Sequence, residues 1–139
     1  MKSLPTLIRL KQRDLDERRR LLARLEQEAA AVAARITALE NELAEESRKA
    51  NESDQPAYGF GDYLLGTRQR RIRLETELHA VNERMQPVQD QVAEAYQELK
   101  RFELAQQGIE QRAKAAADKR EQAVLDEAGL SAFRRQQNS

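Results

Sequence analysis

Apolar residues recur along this chain at alternating steps of four and three, first between Leu4 and Leu43 and again between Leu74 and Ala116. In the first run one series is Leu4, Lys11, Arg18, Leu25, Val32 and Leu39, and the series interleaved with it is Ile8, Leu15, Leu22, Ala29, Ile36 and Leu43. Only Lys11 and Arg18 among these twelve positions are polar. This spacing gathers all twelve onto one stripe of an α-helix, and a stripe that long requires a partner along its length. The second run reads Leu74, Leu78, Val81, Met85, Val88, Val92, Ala95, Leu99, Phe102, Gln106, Ile109, Ala113 and Ala116. Two stripes in one chain predict an all-α fold, a long two-helix antiparallel coiled-coil hairpin in which helix 2 is longer than helix 1.

Composition agrees with a seam and not with a broad core. Charged residues make up 35% of the 139 residues and aromatics 4%, with no Trp, too little apolar bulk to fill more than a narrow interface between helices. Lys plus Arg and Asp plus Glu are 24 each, and this balance argues against a nucleic-acid binder, which needs a basic excess. The absence of Cys excludes disulfides and thiolate metal sites. The first twenty residues hold no apolar run that would make a signal-peptide core, and no stretch approaches the roughly 20 apolar residues of a membrane span. The expectation is a soluble cytoplasmic protein without direct membrane insertion.

The expected layout is a single coiled-coil hairpin over 1–139: helix 1 over about 4–50, a turn and tip over about 51–60, helix 2 over about 61–127, and a frayed tail over 128–139. Ser3 is a candidate N-cap, and Pro5 falls in the first turn, where its missing N–H has no helical partner. Helix 1 should be roughly 70 Å long at the usual rise per residue. Pro87 should kink helix 2 without breaking it, because the seam passes through unshifted. Gly129 is the expected stop. With the reversal near residue 56, Leu43 should face 67–71 and Leu4 should face about residue 108, leaving helix 2 to overhang by roughly one to two dozen residues.

The segment "DQPAYGFGDYLLG", residues 54–66, breaks the pattern: one Pro, three of the five glycines and three of the six aromatics fall within it. Pro56 disfavours helix at Gln55, and the chain should reverse there. Tyr58, Phe60, Tyr63, Leu64 and Leu65 are too many apolar side chains for one end of a two-helix seam. Two readings are open for them: a plug over the seam's end, or an exposed anchor for another protein.

No catalytic constellation is visible. His79, the only histidine, lies beside the seam and lacks the clustered ligands or paired nucleophile that a metal or catalytic role requires. No phosphate-binding Gly-rich loop with its Lys is present. The reading is a non-enzyme with no catalytic, cofactor-binding or metal residues and no cofactor. Two basic runs, "ERRR" at 17–20 and "RQRRIR" at 68–73, read first as solvated faces with acidic partners a turn away, such as Arg71 with Glu75. A sharper reading is an acidic protein partner; nucleic acid ranks last, because no aromatic is interleaved to stack bases. Lys11 and Arg18 can lay their stems on the seam with their heads in water. Past Ile109 the stripe becomes Ala113, Ala116, Arg120, Ala123 and Glu127, and Val124, Leu125 and Leu130 give this segment a short apolar side. A bare helix there needs something to pack on.

The opening "LPTLIRLKQRDLDERRRLLARLE", the broken aromatic turn and the closing "KRFELAQQGIEQRAKAAADKREQAVLDEAG" together resemble the FliJ family of flagellar type III export proteins. The more specific part is the pairing of L-x-x-L-I-R-L at the start with L-D-E-A, Leu125, Asp126, Glu127 and Ala128, near the end. The resemblance implies a stalk similar to the rotor shaft of rotary ATPases. Such a stalk binds the export ATPase, links it to the membrane export gate, escorts export chaperones, and serves flagellum assembly, motility and chemotaxis. It implies a site at the cytoplasmic face of the inner membrane, peripherally associated, with the hairpin monomeric when free. By this analogy Tyr58, Phe60, Tyr63, Leu64 and Leu65 would meet the gate. Lys11, Arg18, Arg120, Val124, Leu125, Asp126, Glu127 and Ala128 would mark the ATPase end. Alternative readings are a structural coiled-coil scaffold or tether and the related injectisome stalk protein.

Overall fold

The computed structural model describes residues 3–52 and 58–138, and the expected turn about residue 56 falls largely outside them. Two helices account for the fold, α1 over Leu4–Glu52 and α2 over Phe60–Gln137, with no strand among the described residues. Ser3 caps α1 as its position suggests. Its carbonyl accepts from the Leu7 N–H at 3.0 Å, and its hydroxyl meets the Thr6 hydroxyl at 2.8 Å. Pro5 sits one residue into α1, where no backbone bond is forfeited.

The contacts divide the chain into two compact units: one contains the chain up to Gln12 together with everything from Tyr96 onward, the other is Arg13–Ala95. In Arg13–Ala95 the two helices run antiparallel. Glu28 pairs with Arg84 at 2.6 Å and Arg35 with Glu77 at 3.3 Å, and in each pair the two residues lie equally far before and after residue 56. Glu40 meets Arg71 at 2.7 Å in nearly the same register. The core of this unit is the seam read from the sequence: Leu15, Leu25, Val32 and Leu39 from α1, and Val81, Val88 and Ala95 from α2, are all buried. Leu22, Ile36, Leu74, Leu78 and Met85 flank them half-buried. Thr67 is buried as well, at 3% exposure, seven residues before Leu74 and so on the same stripe.

Helix α2 passes through Pro87 without a break. It also continues beyond Gly129, to Gln137. Among the described residues only Gly59 has positive φ, so Gly129 does not take the left-handed conformation that closes a helix.

In the unit containing both chain ends, Leu99 is buried and Leu4, Ile8, Lys11, Phe102 and Gln106 are half-buried. From Ile109 through Leu130 every residue of α2 is exposed. Among the described residues, none covers the Ala113, Ala116 and Arg120 stretch of the stripe.

Candidate partner-binding sites

The first candidate is the start of α2, within Arg13–Ala95. Gly59, at φ +83°, precedes the helix, and its carbonyl accepts from the Tyr63 N–H at 2.9 Å. The positive φ is one that a residue with a Cβ adopts only at a cost. This backbone sorts the five apolar residues named from sequence. Phe60 and Tyr63 stack with ring centroids 6.1 Å apart and are half-buried, and the Tyr63 hydroxyl donates to Glu42 on α1 at 3.4 Å. Tyr58 is 94% exposed, Leu65 55% and Leu64 39%. Phe60 and Tyr63 are thus partly covered, Tyr63 beside α1, while Tyr58 and Leu65 stand in solvent. An open hollow lined by Glu46, Lys49, Ala50, Tyr58, Phe60 and Tyr63 lies beside them.

The second candidate is the far part of α2 with the start of α1. Lys11 Nζ pairs with Glu98 at 2.8 Å and lies 6.0 Å from the Phe102 ring centre, so its stem lies along the seam and its charge is answered by α2. Arg120, Asp126, Glu127 and Ala128 are exposed, as are Val124 and Leu125 at 68% and 58%. Leu130 and Phe133, half exposed or more, extend this apolar side. Arg18 belongs to the other unit, where its Nε donates to both oxygens of Asp14 at 3.1 Å. The structure therefore groups Lys11 with 120–128 in one unit and places Arg18 in the other.

The basic runs are only partly neutralised. Arg71 joins Glu75 at 2.9 Å and Glu40 at 2.7 Å, and these carboxylates hold its guanidinium pKa above the ordinary value, the Glu75 hydrogen bond foremost. Among the described residues, Arg70 and Arg73 make long bonds to neutral oxygens alone, to the Thr67 hydroxyl and the Gln69 carbonyl, each at 3.4 Å. Together with Arg35 they line one hollow, an arrangement that sequence reading missed. The signal was present: Arg70, Arg73 and Glu77 share one flank of α2 at helical spacing. His79 is exposed, 3.5 Å from Glu83 on its own helix. Among the described residues no cluster of three or more His, Cys, Asp or Glu could hold a metal, and no helix is long and apolar enough to cross a membrane.

Against known proteins, the chain matches the family described as flagellar FliJ protein over residues 1–138. No curated protein and no solved structure matches it.

Proposed function

Because the chain belongs to the flagellar FliJ family, we propose that this flagellar export-related protein is a non-enzymatic stalk of the type III export apparatus. It binds the export ATPase, connects it to the export gate, and escorts export chaperones, at the cytoplasmic face of the inner membrane. The observation that carries this reading is the distribution of exposed apolar side chains on α2. They include Leu64 and Leu65 near its start, with Tyr58 just before it, and Val124, Leu125, Leu130 and Phe133 near its end, while Ile72, Tyr96, Leu104 and Ile109 are spaced singly between. A plain tether needs neither group. Exposed aromatic and aliphatic residues in groups of this kind are the usual anchors of protein interfaces. On this reading Tyr58 and Leu65 supply the gate-side anchor, with Phe60, Tyr63 and Leu64 supporting it. Arg120, Val124, Leu125, Asp126, Glu127 and Ala128 form the ATPase-side surface, in the same unit as Lys11.

The test uses two double variants of the whole chain, Tyr58→Ser with Leu65→Ser, and Val124→Ser with Leu125→Ser. The first should lose gate binding and keep ATPase binding; the second should do the reverse. Helix content should be unchanged in both, since all four side chains are exposed. If both variants retain both partners, the assignment of the two surfaces fails.

A further inference from the structure

Arg35 on α1 and Arg70 and Arg73 on α2 line an open hollow of about 300 Å³ with Leu74 and Glu77. Three guanidinium groups meet there and one carboxylate answers them. Glu77 is engaged with Arg35, both its oxygens lying 3.3 to 3.4 Å from Nη1. Arg70 and Arg73 reach no carboxylate among the described residues. The hollow thus carries a net positive charge on groups already held in place by the helices, with Leu74 as an apolar wall. Planar guanidinium groups of this kind recognise a carboxylate through paired N–H donors.

The surroundings narrow the choice of anion. Glu28 and Glu42 stand one heptad to either side of Arg35 on α1. They are held at the surface by Arg84 at 2.6 Å and by the Tyr63 hydroxyl at 3.4 Å. A long polyanion, whether a nucleic-acid backbone or an anionic bilayer, would run over these carboxylates as well as the arginines. A single compact acidic side chain would not. The hollow is also walled by leucine, where an apolar neighbour of that side chain can rest.

We infer that the Arg35, Arg70 and Arg73 hollow is a docking point for the acidic face of a partner helix, which seats one or two carboxylates on Arg70 and Arg73. This surface is separate from the two groups of apolar residues described above. It requires no assumption about which export component supplies the helix.

The experiment follows the arginine side-chain Nε–Hε signals of the isotope-labelled full chain by NMR. The probe is an alanine-based helical peptide bearing two glutamates one turn apart, compared with its glutamine counterpart. The glutamate peptide should shift the Arg70 and Arg73 signals and the glutamine peptide should not. R70Q/R73Q should weaken binding at least tenfold, R70K/R73K should weaken it less, and R68Q should leave it unchanged. No shift with the glutamate peptide overturns the inference. So does equal response to the two peptides, or equal weakening by R68Q. Shifts produced by inorganic phosphate, anionic phospholipid vesicles or single-stranded RNA but not by the peptide also overturn it. Circular dichroism of each variant checks that the helices persist, and the lysine variant retains the charge should the glutamine variant lose helix.

Discussion

Replacing Leu15 by Ala tests the seam at its most buried point. Leu15 is 1% exposed, and the change deletes three carbon atoms from the interface between α1 and α2. At about 0.8 kcal/mol per methylene-sized group, the transfer loss is roughly 2.4 kcal/mol. A cavity contribution adds to this, but a two-helix seam has neighbours on few sides and can close over the gap. A total of about 2.5–3.5 kcal/mol follows, in the lower part of the range for Leu→Ala in cores. Leu104 provides the internal comparison, because it is 64% exposed. About a third of the same transfer loss applies there, and the better helix propensity of Ala offsets a few tenths, leaving roughly 0.5 kcal/mol. Urea unfolding followed by far-UV circular dichroism measures both. Equal losses at the two positions would refute the reasoning, since they would mean that Leu15 gains nothing from α1 meeting α2.

Three further perturbations have expected outcomes. Pro87→Ala restores a donor within α2 and should raise stability by up to about 3 kcal/mol, read as a higher thermal midpoint; an unchanged or lower midpoint would contradict it. Gly59→Ala meets no atom within 4 Å, so its cost is backbone strain alone, about 1 kcal/mol at φ +83°, measured by the same unfolding assay. Glu45 has its pKa lowered from 4.5, chiefly by its hydrogen bond from Arg48, against an opposing effect of desolvation, with the nearby Lys49 charge adding a lesser lowering. A depressed carboxylate contributes stability that is present above pH 4.5 and is lost as pH falls through its folded value. Its side-chain NMR signal should titrate below pH 4.5 and move back toward it in R48Q.

The seam was legible because a seven-residue repeat leaves little freedom. The twelve α1 positions picked from spacing alone are all buried or half-buried, Lys11 and Arg18 included. The cross-helix pairs sit close to the register implied by a reversal near residue 56. The end of α2 was less legible. Gly129 is a common stop, yet a glycine halts a helix only by turning left-handed; here it stays helical and α2 runs to Gln137. Thr67 escaped notice because a polar side chain carries no hydrophobic signal, although its heptad spacing from Leu74 placed it on the stripe. The tip residues could be gathered from sequence but not sorted. Which rings face the seam depends on the backbone at Gly59, and that is a matter of three-dimensional structure. The arginine hollow was hidden for a related reason: Arg35 and Arg70 are distant in sequence and meet only when the helices pair.

The claim that the chain is an export stalk is tested most directly by its partners in the cell. The full chain should be recovered from cytosol and membranes of its source bacterium after in-cell crosslinking, and the linked proteins identified by mass spectrometry. An export ATPase and an export-gate subunit should be recovered, with crosslinks to the gate from Tyr58 or Leu65 and to the ATPase from 120–128. Recovery of the chain linked only to itself or to a cytoskeletal protein would contradict the claim.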